Sequence, residues 1–184
     1  HSAPHHPDYV DLTSQSSYNP ELSKALLAEA GYGDGLKLRL KLPPPSYARR
    51  GGEIIAAQLR EVGIDAEISN LEWAGWLEEV FKGKDYDLTI VSHTEPFDIG
   101  IYGRDEYYFQ YSSDEFKTLL GMLNSATVEA ERSALTKALQ RKIADDYVNG
   151  YLFQLARTSV QNAKLGGLWR NSPTQANDLT KAYW

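Results

Sequence analysis

Seven consecutive residues, Ser92-His93-Thr94-Glu95-Pro96-Phe97-Asp98, gather an imidazole, two carboxylates, two hydroxyls and an aromatic ring. His93, Glu95 and Asp98 can ligate a metal, work as an acid and base, or hold a cationic or hydroxylated ligand. A metal needs three or four converging donors, and the sequence offers only this one cluster, so no metal or other cofactor is assigned. Paired-carboxylate hydrolysis requires a set separation between the two carboxyls, which spacing along the chain does not define. Asp and Thr also favour turns, so the same residues can instead cap the turn at Gly100 and the loop after it.

Aromatic residues crowd the neighbouring positions. Tyr102, Tyr107, Tyr108, Phe109 and Tyr111 follow within the loop 92–111, where they either pin that loop to the body or form a ligand wall. Trp73 stands at the end of an expected strand and is the aromatic best placed for a cleft. Trp76, at helical spacing with Val80, is expected in the core. Arg49 and Arg50 begin a helix, where an anion can be received, although a solvated pair is the more frequent outcome. His1, His5 and His6 carry no assigned role.

The elements that must position these residues are legible from periodicity. Asn19-Pro20-Glu21 is an N-cap, an N1 proline and an acidic first turn; Leu22, Leu26 and Leu27 follow at helical spacing up to Gly31. Leu36–Leu42 alternates leucine with Lys37, Arg39 and Lys41, which predicts a half-buried strand whose basic face is either solvated or anion-binding. Pro43-Pro44-Pro45 ends it.

A helix is predicted over 47–62 with Ile55, Leu59 and Val62 inward. A second strand at Ile64, Ala66 and Ile68 follows, then a short helix from Trp73 to Phe81. The apolar run 88–91 suits a strand buried on both faces. Strand–helix–strand–helix–strand in this span is two βαβ units, hence a parallel sheet with right-handed crossovers. Ligands in such sheets bind outside the carboxyl ends of the strands, where Pro43–Tyr47, Asn70–Trp73 and Ser92–Asp98 all fall.

A capping box at Ser112-Ser113-Asp114-Glu115 opens one further helix, and another is expected over 129–147. Residues 151–160 read as a strand or an extended segment, and the polar tail from 171 as a surface run. Residues 1–18 read as an arm or linker.

Composition narrows the classes. The 184 residues carry a net charge of -6, which argues against nucleic-acid partners and anionic membranes. No cysteine is present, which excludes disulfides, thiolate zinc sites and cysteine nucleophiles. Twelve Tyr and four Trp against five Phe favour ligand walls and interfaces as much as cores. His1–Pro7 reads as neither a signal nor a transit peptide, and no apolar run is long enough for a membrane span. Phosphate-loop, dinucleotide, nucleophile-elbow and zincin motifs do not occur; Gly31-Tyr32-Gly33-Asp34-Gly35 lies between a helix and a strand, so it is a turn.

Read together, Tyr18-Asn19-Pro20-Glu21-Leu22-Ser23-Lys24-Ala25-Leu26-Leu27-Ala28-Glu29-Ala30-Gly31-Tyr32, the helix end at Gly63-Ile64, Glu72-Trp73 and Gly83-Lys84-Asp85-Tyr86-Asp87-Leu88 resemble the family 5 extracellular solute-binding proteins. These are the oligopeptide, dipeptide and nickel class serving ABC importers. The resemblance implies an α/β chain: a type II periplasmic-binding-protein-like lobe, a mixed sheet with a parallel βαβαβ core flanked by helices. It implies residues 19–184 as the C-terminal lobe, with 1–18 leading in from a missing N-terminal part that would hold the secretion signal.

The implied role is capture of a small solute between two lobes, without catalysis, for delivery to membrane permease subunits. The implied location is periplasmic, or extracellular and membrane-tethered in a Gram-positive organism. Expected ligand contacts are His93, Glu95, Asp98, Trp73, Tyr102 and Tyr107. The 93–98 segment departs from the Trp, Asp and Asp-Pro pattern of the peptide binders, so peptide, sugar and opine ligands all remain open. The alternatives are a small hydrolase using Glu95 and Asp98, and a stand-alone interaction domain presenting its aromatic loop.

Overall fold

The computed structural model describes residues 1–93, 98–155, 158–169 and 178–184. Five helices and three strands alternate along it as α1 (Pro20–Glu29), β1 (Leu36–Leu42), α2 (Ser46–Glu61), β2 (Ile64–Asn70), α3 (Trp73–Trp76), β3 (Leu88–Thr89), α4 (Asp114–Ser125) and α5 (Glu129–Asp145). A π-helical segment, Leu77–Lys82, continues α3, and a 3₁₀ segment, Asp98–Gly103, follows β3.

Local signals account for the helix ends. Asn19 caps α1 by accepting the Leu22 N–H at 3.0 Å, and Ser113 caps α4 by accepting the Phe116 N–H at 3.2 Å. Gly63, at φ +93, takes the left-handed turn that joins α2 to β2.

The sheet is parallel in the order β2-β1-β3, with Leu36 opposite Ile64 and Lys41 opposite Thr89. Leu40, Leu42, Ala56 and Ala66 form a core between the sheet and α2. The helix approaches closely because its buried residues are Ala48, Gly52 and Ala56. Ile55, Leu59 and Val62, the predicted inward set, are only half-buried. Small residues at i, i+4, i+8 let the backbone meet the strands, and this rotates the larger side chains to the flank.

On the opposite face, Trp76 donates its Nε1–H to Thr89 Oγ1 at 3.0 Å, and Thr89 donates to the Lys41 carbonyl at 2.7 Å. Helices therefore cover both faces, as a doubly wound sheet requires. The basic face of β1 is divided: Lys37 and Arg39 are exposed, as a solvated face requires, and Lys41 is not. Lys41 is 8% exposed and bonds Glu79 at 2.8 Å and Asp85 at 3.0 Å, while Arg39 bonds Asp85 and Asp87.

β3 departs from expectation. It has two residues rather than four and is half-buried, because it lies at the sheet edge and pairs only with β1. No strand forms at 151–155 or 158–160, where side chains such as Leu152, Phe153 and Val160 are exposed and no strand lies alongside to share a ladder. Gly166 and Tyr183 make one antiparallel bridge beyond the sheet. Residues 171–177 of the expected polar tail lie outside the described residues, and 178–184 run mostly exposed.

Two further cores complete the packing. Phe116, Leu123, Leu135, Leu139 and Ile143 join α4 and α5 beneath the 3₁₀ segment, and Trp76, Val80 and Tyr108 join that unit to the sheet. Residues 1–18 contain no helix or strand, yet their first half lies on α5. The buried Gln140 accepts the Ser2 N–H at 3.2 Å and donates to the Asp8 carbonyl at 2.8 Å. The apolar stripe of α1 stays open, with Leu22 and Leu26 both more than half exposed.

Candidate functional site

The order β2-β1-β3 puts a topological switch point between the carboxyl ends of β1 and β3. From β1 the chain leaves to α2 on one face, whereas the chain beyond β3 packs through Tyr108 against Trp76 of α3 on the other, so the two strand ends diverge and leave a crevice. Tyr47 and Arg49, on the first turn of α2, form one side. Ser92 and His93, leaving β3, form the other. Glu72 and Trp73 lie at the end of β2.

Tyr47 Oη accepts the Ser92 N–H at 2.9 Å and so closes the floor of the crevice. Arg49 donates from Nη2 to the Leu71 carbonyl at 3.3 Å and to Glu72 at 3.0 Å. Its Nε is buried with no hydrogen-bond partner among the described residues, an arrangement that carries a desolvation cost. The α2 N-terminus beside it has no side-chain cap and no acidic residue in its first turn.

His93 links two groups. Its Nδ1 lies 3.0 Å from an Asp98 carboxylate oxygen, and its Nε2 lies 3.0 Å from Tyr108 Oη. With the proton on Nδ1, facing the carboxylate, Nε2 accepts from the Tyr108 hydroxyl. The His93 and Tyr108 rings are nearly parallel, 5° apart with centroids at 6.2 Å. The Asp98 side chain is only 8% exposed at the start of the 3₁₀ segment. Burial pushes the Tyr108 hydroxyl well above the ordinary phenol range, with Tyr86 the next contributor. Tyr86, which donates to the Tyr108 carbonyl at 2.8 Å, is itself pushed up to about 12 by burial. These phenols stay protonated, so they serve as hydrogen-bond donors and acceptors and add no charge at neutral pH.

The structure thus brings His93 and Asp98 together and leaves Trp73 45% exposed at the neighbouring strand end, edge-on to the buried Trp76. Tyr102, on the same 3₁₀ segment as Asp98, it buries. At 4% exposure Tyr102 sits in the α4–α5 core, ring against Phe116 at 6.0 Å, its hydroxyl 3.1 Å from that of Tyr151 and accepting from Asn149. Burial raises its hydroxyl further still. Tyr107 is wedged between Phe81 and Phe109, with the Arg104 guanidinium 5.5 Å above its ring. Both tyrosines hold the aromatic loop to the body. Glu95 lies outside the described residues.

Sequence reasoning passed over Tyr47 and Tyr108 as individual residues. Tyr47 was visible only as part of a strand end, and Tyr108 is indistinguishable by type from its four aromatic neighbours. Among the described residues no three carboxylate, imidazole or thiol groups converge to hold a metal. A hollow of about 600 Å³ bordered by Lys37, Arg60, Asp65 and Glu67 lies on the sheet away from the strand carboxyl ends, and its open, mixed-sign lining offers no convergent set of groups.

The strand-end arrangement can hold a cationic or donor group against Asp98 and an acceptor against Arg49, and among its described residues no activated nucleophile is seen. Residues 1–115 match the family described as bacterial extracellular solute-binding proteins, family 5 Middle. The chain belongs to family 5 of the bacterial extracellular solute-binding proteins. This family 5 chain is 26% identical over 143 residues to a probable peptide ABC transporter periplasmic-binding protein, y4tO, of Sinorhizobium fredii, covering 71% of the chain and 27% of the relative. It is 36% identical over 81 residues to the dipeptide-binding protein of Escherichia coli, covering 41% and 15%.

Among solved structures, the dipeptide-binding protein of Pseudoalteromonas sp. SM9913 in complex with Met-Leu superposes with a TM-score of 0.75 at 20% identity, over 98% of this chain and 38% of that one. That likeness establishes the type II periplasmic-binding-protein fold. The family 5 chain spans about a quarter of the curated peptide-transporter relative.

Proposed function

We propose that this chain is one lobe, the C-terminal one, of the substrate-binding component of an ABC importer. It holds a small solute of the peptide class against a second lobe and presents it to permease subunits on the periplasmic or outer side of the membrane. The feature that carries this reading is a carboxylate beside the end of β3 and a guanidinium beside the end of β1, the first meeting His93 and the second Glu72. The buried Asp98 carboxylate stands on the β3 side, and Arg49, with an orphaned Nε beside an uncapped helix N-terminus, stands on the α2 side.

A zwitterion such as a short peptide or an opine supplies an ammonium for the first and a carboxylate for the second. Trp73 provides an exposed apolar wall. The open stripe on α1 and the exposed Leu152, Phe153, Leu155 and Trp184 support a second lobe that covers them. A ligand gripped from one side keeps much of its surface in water, so a single lobe binds feebly.

Calorimetry with the dipeptide Met-Leu tests this on the isolated chain and on a longer protein containing both lobes. The expected result is no measurable heat from the chain, and saturable binding by the longer protein that weakens at least about tenfold for N-acetyl-Met-Leu-amide, which lacks both charges. Micromolar binding by the chain alone would overturn the single-lobe reading. Equal affinity for the blocked peptide would overturn the zwitterion.

A further inference from the structure

We propose that Tyr47 is a positioning residue for the ligand site. Its hydroxyl fixes the path of the chain leaving β3, and thereby the placement of His93 between Asp98 and Tyr108. This deepens the binding reading above and rests on it for its functional meaning, although its test needs no ligand.

β3 is an edge strand whose ladder with β1 consists of Leu40–Leu88 and Lys41–Thr89 and then stops. Among the described residues no strand pairing holds the backbone beyond Thr89, yet His93, four residues on, meets Asp98 and Tyr108 together. Thr89 is secured from the α3 face by Trp76 and the Lys41 carbonyl. Three residues later the Ser92 N–H is secured from the α2 face by Tyr47 Oη at 2.9 Å. Ser92 is exposed, so water would satisfy its N–H equally well. Water would not restrain the chain.

Tyr47 can do so because its ring is half-buried on the first turn of α2, a sixteen-residue helix anchored on the sheet through Ala48, Gly52 and Ala56. Tyr47 thus replaces the missing ladder bond at the strand end from which the site is built.

The experiment compares three ¹⁵N-labelled chains by NMR: wild type, Tyr47→Phe, and Asn19→Ala as a variant loosened at the cap of α1. Phenylalanine keeps the ring and removes only the acceptor. Expected for Tyr47→Phe is Ser92 amide exchange faster by roughly 3- to 10-fold, the span of one lost hydrogen bond, together with altered His93 ring ¹⁵N shifts as the tautomer set by Asp98 and Tyr108 becomes mixed. Asn19→Ala should speed exchange in α1 and leave the Ser92 amide and the His93 ring signals in place. Unchanged Ser92 exchange in Tyr47→Phe would overturn the proposal. So would faster exchange with unmoved His93 signals, because Tyr47 would then hold the loop without positioning the site.

Discussion

The imidazole of His93 and the phenol of Tyr108, fifteen residues apart, lie nearly parallel with Nε2 3.0 Å from Oη, so the exit of β3 and the aromatic loop are joined by one hydrogen bond. Tyr108→Phe keeps the ring packing against Trp76 and Phe81 and removes only that bond. The expected loss is about 1 kcal/mol in urea unfolding, seen as a lower midpoint at unchanged slope. A midpoint equal to wild type would show that the bond contributes nothing to the fold.

The two tryptophans of α3 should behave differently although they are three residues apart. Trp76 is 4% exposed within an aromatic cluster, and its replacement by Ala should cost about 3–5 kcal/mol. Trp73→Ala should cost about 1 kcal/mol, chiefly its edge-on contact with Trp76, while weakening dipeptide binding by the two-lobed protein. Equal destabilisation by the two changes in thermal melts would contradict the placement of Trp73 at the crevice.

Gly51 and Gly52 provide a matched pair of opposite sign. A Cβ on Gly51 would meet only Ile90 Cδ1 at 3.9 Å, so Gly51→Ala should stabilise by about 0.5–1 kcal/mol through helix propensity. A Cβ on Gly52 would fall on the Leu42 side chain, which is fully buried and has nowhere to turn. Gly52→Ala should therefore destabilise, by about 1–3 kcal/mol from overpacking. Denaturant titration of both variants decides the matter, and stabilisation by Gly52→Ala would refute the close approach of α2 to β1.

The charge network on β1 predicts a pH dependence with a definite sign. Arg39 bonds Asp87 through both its backbone N–H and its guanidinium, and that guanidinium holds Asp87 below the usual carboxylate range. Arg39, and then Lys41, do the same for Asp85. Because the folded carboxylates bind protons less readily than the unfolded ones, their stabilisation is complete above about pH 5, begins to fade near the unfolded value of about 3.9, and is lost as pH falls through the lower folded values. The gap in urea midpoint between wild type and Asp87→Asn should hold steady from pH 5 to 8, then shrink towards pH 3, and it should narrow with added salt. A gap that widens on acidification would reverse the assignment.

Much of the fold was legible because its signals are local. Asn19 and Ser113 announce their helices by capping chemistry, and Leu36–Leu42 declares a strand by strict alternation. Local signals mislead where a neighbouring segment decides the outcome. The run 88–91 looks like a doubly buried strand, but burial depends on a second flanking strand, and β3 has only β1. Lys37, Arg39 and Lys41 alternate identically in sequence. Only Arg39 and Lys41 face the acidic turn after α3, and Lys41 is buried there.

The sequence alone determined the element order, the βαβαβ pattern and the concentration of polar side chains after the third strand, because periodicity, caps and breakers act over a few residues. The tertiary structure decided which of those side chains meet. The strand order created the crevice between β1 and β3, and that crevice brought Tyr47 to Ser92 and His93 to Asp98 and Tyr108. It also sent Tyr102 into the α4–α5 core. Residue type states what a tyrosine can do, whereas burial and the identity of its partner, both set by segments distant in the chain, decide whether it lines a site or fills a core.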